Sequence, residues 1–88
     1  MEKYRNKDLP VEERVEDLLD RMTFEEKIDQ ITCLVTIADD IPKFENYIPN
    51  GIGNVGAFTV ADTVEPIVEY ADKLQKYLVN HTRLGIPA

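Results

Sequence analysis

Residues 49–60 read PNGIGNVGAFTV, and this stretch decides the fold class that the sequence predicts. Its first three residues, Pro49-Asn50-Gly51, are a turn signal. The residues that follow are rich in glycine and in β-forming side chains. We therefore expect a short buried strand over residues 52–60, with these side chains in it: Ile52, Val55, Phe58, Thr59 and Val60.

A helix is predicted directly after this strand. Asp62 or Thr63 is placed to cap its start, Pro66 suits its first turn, and its end is expected at residues 80–82. Residues 84–88, LGIPA, are typical of a loop that enters another strand. A strand, a helix and a second strand form the parallel crossover unit of α/β folds. The main apolar stripe of the helix is expected to be Ile67, Ala71, Leu74 and Leu78, flanked by Val64, Val68 and Val79.

Two shorter helices are predicted before the turn, after an irregular tail at residues 1–9. The first runs from Pro10 to Met22, and the second begins at Thr23, where Thr23-Phe24-Glu25-Glu26 has the form of a capping box. Each has apolar residues at helical spacing. The first stripe is Val11, Val15, Leu18, Leu19 and Met22, and the second is Phe24, Ile28, Ile31 and Val35.

Composition excludes several classes of function. The 88 residues carry 10 Lys and Arg against 17 Asp and Glu, a net charge of −7, which argues against nucleic-acid and anionic-membrane partners. The one cysteine, Cys33, excludes an internal disulfide and a cage of thiolates around a metal ion. No basic start with an apolar run of secretory type is present, so the expected compartment is the cytoplasm.

Few residues are candidates for a site. Residues 51–56 spell G-x-G-x-x-G, but a turn precedes them and β-formers follow, which is the inverse of the dinucleotide-binding context. The adjacent acids Asp39-Asp40 and Glu25-Glu26 point apart on a helix or strand, which favours solvated or capping roles. We expect His81 to interact with the last carbonyls of its helix, and Cys33 to be a small buried hydrophobe. No metal or cofactor is predicted.

Three blocks of the chain resemble glycoside hydrolase family 3, which includes β-glucosidases and β-xylosidases. Residues 9–28, LPVEERVEDLLDRMTFEEKI, look like the N-terminal signature of the family. Residues 48–53, IPNGIG, resemble its first barrel strand. Leu74-Gln75 and residues 82–88, TRLGIPA, resemble the end of its first barrel helix and the start of its second strand. One departure is Asp29, where the family commonly has glycine.

The resemblance implies an α/β fold that is incomplete within these residues. Residues 1–88 would be part of an N-terminal TIM-like (β/α)8 barrel domain: an irregular tail at 1–9, a helical segment at 10–50, and at 51–88 the first strand, the first barrel helix and the start of the second strand. Members of the family are retaining exo-glycosidases. They use an aspartate nucleophile late in the barrel and an acid/base that often comes from a second domain.

The same resemblance assigns no functional residue to this chain. The nucleophile, the acid/base and the early sugar-binding aspartate of the family all have no counterpart in residues 1–88, so the prediction is no catalytic, substrate-binding, cofactor-binding or metal residue. We expect the intact enzyme to hydrolyse terminal β-linked sugars, and the 88-residue segment to be inactive alone and to need the rest of the barrel to fold. The alternative is a self-contained, acidic, mostly helical interaction module without catalysis, in which three amphipathic helices form a small bundle.

Overall fold

A computed structural model of the chain describes residues 2–35, 44–56 and 64–88. After a 3-10 turn at Lys3–Arg5, these residues form four helices and two strands. In chain order the elements are α1 (Val11–Arg21), α2 (Phe24–Gln30), β1 (Cys33–Val35), α3 (Phe44–Tyr47), β2 (Asn54–Gly56) and α4 (Glu65–His81).

The corner between α1 and α2 has the structure that the sequence predicts. α1 begins after Pro10 and ends before Met22, and Thr23 is the N-cap of α2. The Glu26 N–H donates to Thr23 Oγ1 at 3.2 Å, and the Thr23 N–H donates to Glu26 Oε2 at 3.3 Å. The capping box is therefore confirmed, and it fixes the start of α2 by satisfying two backbone donors that a helix start leaves open.

Removing the cap should weaken the fold measurably. We expect Thr23→Ala to lower the free energy of unfolding by about 1 kcal/mol, because the Glu26 N–H loses its acceptor. Urea denaturation followed by circular dichroism measures this difference. Thr32→Ala is the control, since the Thr32 hydroxyl donates to the Ile28 carbonyl at an exposed position, where water replaces it. An equal loss in both variants would contradict the capping role.

The second helix is shorter than the sequence predicts, and a strand follows it. The apolar stripe was expected to continue on the helix to Val35, but α2 ends at Gln30 and Cys33–Val35 form β1. β1 pairs with β2 in parallel, with Cys33 opposite Asn54 and Val35 opposite Gly56. A short apolar run fits a helix and a strand equally well by spacing alone, and here pairing with a strand distant in sequence decides between them.

The turn before β2 is confirmed. The Gly51 N–H donates to the Ile48 carbonyl at 3.0 Å, and Gly51 has a φ of +92°, which glycine adopts without steric strain. The predicted strand at 52–60 is regular only from Asn54 to Gly56 among the described residues. Residues 57–60 lie outside the described residues.

The helix α4 supplies most of the core. It begins at Glu65, with Val64 at the N-cap position and Pro66 in the first turn, and it ends at His81 as predicted. The proposed caps Asp62 and Thr63 lie outside the described residues. The buried cluster consists of Ile48, Ile52, Tyr70, Leu74 and Leu78, with Val55 and Tyr77 packed against it.

One position of the predicted α4 stripe is wrong. Ala71 is exposed, and Tyr70 is buried in its place beside Leu74 and Leu78. The two neighbours lie on adjoining sides of the helix, and burying the larger ring removes more apolar surface from water. The flanking residues Val64, Val68 and Val79 are exposed.

The N-terminal residues are more ordered than the irregular tail that the sequence predicts. The Tyr4 N–H donates to Asp17 Oδ2 at 3.0 Å, and the Tyr4 hydroxyl donates to the Leu84 carbonyl at 2.9 Å. Arg5 Nη2 donates to the same carbonyl at 3.1 Å. These bonds join the 3-10 turn to α1 and to the segment after α4.

The segment after α4 is irregular, as a loop should be. Residues 85–88 have no regular structure, and the side-chain amide of Gln75 bonds both the N–H and the carbonyl of Ala88, at 3.0 and 2.9 Å. A second strand in this region and the eight-stranded barrel stay predictions. Among the residues described, no helix combines the length and the apolar character that crossing a bilayer requires.

Candidate functional site

The most connected polar group is an ion pair between Glu26 and Arg83, 57 residues apart in sequence. Arg83 Nε donates to Glu26 Oε1 at 2.8 Å, and Arg83 Nη2 donates to Glu26 Oε2 at 2.7 Å. The same Nη2 donates to the carbonyl of Arg21 at 2.6 Å. Arg83 therefore joins the end of α1, the start of α2 and the segment after α4 in one network.

The environment keeps the Glu26 carboxylate ionised. Its side chain is 8% exposed, while that of Arg83 is 55% exposed. The guanidinium of Arg83 lowers the pKa of Glu26, and the Thr23 N–H adds to this effect, while burial acts in the opposite direction. The pKa of Arg83 is raised by the hydrogen bond to Glu26. A carboxylate with a lowered pKa and two Arg bonds is a poor general acid, and its bonds to Arg83 join segments that are distant in the sequence.

The depression beside this ion pair, as the described residues form it, has no room for a sugar. A shallow depression is lined by Glu26, Gln30, Asn50, Thr82 and Ile86, among others. It is too narrow to admit a water molecule. A pyranose ring therefore cannot enter it without a rearrangement of α2 and the 84–86 segment.

The glycines of residues 51–56 serve the chain rather than a nucleotide. They lie in the turn and in β2, and the Gly53 N–H donates to the carbonyl of Asp29 at 2.9 Å. A Cβ atom on residue 53 would overlap the carbonyl of Gln30 and lie 2.9 Å from its Cα. Thus Gly53 permits the close contact with the end of α2, and Asp29, the departure from the family pattern, contributes its carbonyl to that contact.

The remaining candidates that belong to the described residues do not come together. Glu25 is exposed while Glu26 caps α2, which confirms the capping role for that pair; Asp39 and Asp40 lie outside the described residues. The ring of His81, at the end of α4, stacks on Tyr77 with centroids 5.9 Å apart. Across residues 2–35, 44–56 and 64–88, no three His, Cys, Asp or Glu side chains cluster in a way that could hold a metal ion.

The prediction that Cys33 is buried is wrong. Its side chain is exposed at the first position of β1. The expectation assumed a continuing helix with an apolar face, whereas a strand alternates its side chains between two faces and places this one outward.

No pattern in the sequence predicts the contacts of Arg83 or Tyr4. The T-x-x-E spacing predicts the local bond between Thr23 and Glu26, but nothing in it points to a cation 57 residues away. Likewise, the polar composition of residues 1–9 hides the fact that Tyr4 bonds to Asp17 and to Leu84.

Comparison with known proteins gives one similarity. The chain is 29% identical over 100 aligned residues to a protein of Formosa agariphila named "Putative beta-xylosidase". The alignment covers 97% of this chain but only 13% of that protein, so the chain spans a small part of its relative. No known family model matches the sequence.

Proposed function

We propose that these residues are the N-terminal segment of a retaining, exo-acting β-glycosidase of glycoside hydrolase family 3, acting on terminal β-linked xylose or glucose. The observation that carries this proposal is the similarity to the Formosa agariphila protein over 97% of the chain. The resemblance of residues 9–28, 48–53 and 82–88 to the family supports it independently of that alignment.

The structure supports a scaffolding role for the segment within such an enzyme. The parallel pair β1–β2 has only three residues in each strand, and a parallel pair needs further strands and helices to bury both its faces. The reaction needs two carboxylates about 5–5.5 Å apart, one nucleophilic and one protonated. Glu26 is held by Arg83 through an ion pair, and the resemblance gives neither role a counterpart in residues 1–88. The proposed active groups therefore come from the remainder of the enzyme.

A second candidate is a self-contained acidic interaction module. It is favoured by the buried cluster around Leu78 and by the bonds from Tyr4 and Arg5 to Leu84, which close the chain on itself. This candidate predicts that the 88-residue chain melts cooperatively and gives dispersed amide signals in its NMR spectrum. The enzyme proposal predicts a broad, uncooperative melt of the 88-residue chain.

Activity assays test the enzyme proposal directly. We expect the 88-residue chain to give no hydrolysis of an aryl β-xyloside or aryl β-glucoside above buffer, because the resemblance implies that the nucleophile and the acid/base lie outside these residues. A longer polypeptide that carries these residues with the rest of the barrel should hydrolyse at least one of the two, with retention at the anomeric carbon. Hydrolysis by the repurified 88-residue chain, or an inactive longer polypeptide that is folded, would refute the proposal.

A further inference from the structure

The helix α1 leaves three of the five residues of its apolar stripe exposed, while Leu18 and Met22 are half-buried. Val11, Val15 and Leu19 lie four residues apart and share one side of the helix. Their exposed fractions are 64%, 47% and 47%. A surface helix normally turns such a stripe toward the core of its own protein, so this one is free to contact something else.

The side of α1 that packs on the chain adjoins these three residues, and apart from Leu18 it is largely polar. Arg14 Nε donates to the Tyr4 carbonyl at 3.1 Å, and Asp17 accepts from the Tyr4 N–H at 3.0 Å. Arg21 forms an ion pair with Asp17 at 2.9 Å. Because three polar side chains hold this side against the 3-10 turn, the helix cannot rotate to bury the stripe without losing these bonds.

An acidic row runs beside the stripe. Glu12, Glu16 and Asp20 each follow a stripe residue by one position, so they line the same edge of the helix. All three are exposed, and none of their carboxylates forms an ion pair or hydrogen bond with another described residue. The two cations of α1, Arg14 and Arg21, are bound on the other side. The surface around the stripe is therefore negative.

We propose that this stripe and its acidic row dock on an amphipathic helix of the remainder of the larger glycosidase, one whose apolar side chains are flanked by Lys or Arg. The inference rests on the function proposed above, which supplies the remainder of the polypeptide. A second copy of this chain fits poorly, because it would place acidic rows against each other and each chain carries a net charge of −7.

Thiol labelling distinguishes the possible occupants. In a Cys33→Ser background, Val15→Cys should react quickly with a maleimide in the 88-residue chain. In the purified longer polypeptide it should react about tenfold more slowly or not at all, because close packing excludes the reagent. Glu13→Cys, at an exposed position off the stripe, is the matched control and should react at similar rates in both. Fast labelling of Val15→Cys in a folded longer polypeptide would overturn the proposal.

Peptide binding tests the charge preference separately. Two synthetic amphipathic peptides of about 20 residues, long enough to hold a helix, share one apolar stripe and carry either Lys or Glu beside it. Fluorescence anisotropy at low salt should show the Lys peptide binding the 88-residue chain. The combined change Glu12→Gln, Glu16→Gln and Asp20→Asn should weaken that binding about tenfold. Equal binding of both peptides, or self-association of the chain in sedimentation, would overturn the proposal.

The two proposals can fail independently. A longer polypeptide that hydrolyses the aryl glycoside while Val15→Cys stays reactive refutes the docking surface and leaves the function standing. An inactive longer polypeptide in which Val15→Cys is protected refutes the function and shows that the stripe is nevertheless covered.

Discussion

Gly53→Ala should abolish or nearly abolish the fold of these residues, measured in the 88-residue chain if that chain melts cooperatively and otherwise in the longer polypeptide. The added methyl group would overlap the backbone carbonyl of Gln30, at the point where the Gly53 N–H donates to Asp29. Neither backbone can move without breaking that bond and shifting β2 away from the end of α2. We expect a loss of about 3 kcal/mol or more in the free energy of unfolding, at the upper end of what overpacking causes.

Gly56→Ala is the matched control for this prediction. Among the described residues, its Cβ would meet Cys33 Sγ alone, at 3.6 Å, which is an ordinary van der Waals distance. The two variants are measured in parallel by circular dichroism melts and urea titrations. If the two variants lose similar stability, the effect comes from replacing glycine in an extended segment, and the close contact with Gln30 would not be the cause.

Glu26→Gln should give the second large effect. The substitution keeps the shape of the side chain but removes the charge that Arg83 binds through two hydrogen bonds, at 2.8 and 2.7 Å. Because the Glu26 side chain is 8% exposed, water cannot fully replace what is lost. We expect about 2 kcal/mol of destabilisation, in the range for hydrogen bonds to charged groups. Urea denaturation at neutral pH measures it.

The ion pair between Glu26 and Arg83 predicts that the fold loses stability at acid pH. The pKa of Glu26 is lowered in the folded chain, chiefly by Arg83, and that of Asp17 is lowered by Arg21. A group whose pKa is lowered on folding stabilises the fold above its unfolded pKa, and this contribution disappears as the pH falls through the folded pKa. Stability should therefore be constant near neutral pH and fall below the usual glutamate range. Glu26→Gln should flatten that fall, leaving only the part due to Asp17.

An exposed pair serves as the control for the charge effect. Lys76 and Asp72 form an ion pair at 2.7 Å on α4, with both side chains more than half exposed. Asp72→Asn should change the unfolding free energy by no more than about 0.5 kcal/mol. A change as large as that of Glu26→Gln would mean that net charge, rather than the ion pair of Glu26 with Arg83, governs stability.

Local patterns in the sequence predict the helical part of the fold well. The bounds of α1 and the end of α4 follow from apolar spacing, and Thr23 with Glu26 predicts the start of α2. The turn at Ile48–Gly51 follows from Pro49-Asn50-Gly51. Each of these features depends on residues within about one or two helical turns of each other, so the physical cause lies in the neighbouring sequence.

The sequence predictions are wrong where contacts between distant segments determine the structure. Residues 31–35 have a spacing that suits a helix, and only the partner β2 makes residues 33–35 a strand. The helical spacing of apolar residues fits either Ala71 or Tyr70 as a core residue. In the structure Tyr70 is the one in the buried cluster, together with Ile48 and Ile52 from outside the helix. The exposure of Cys33 follows from the same change of secondary structure.

The sequence by itself determined α1, the capped start of α2, the end of α4 and the turn, because hydrogen bonds between near neighbours and helical periodicity act over short distances. Only the tertiary structure decided that Arg83 holds Glu26, that Gly53 lies against Gln30, and that α1 turns its apolar stripe away from its own chain. These contacts join residues more than twenty positions apart or depend on which side of a helix the rest of the chain occupies. Their energies come from geometry that no local pattern encodes.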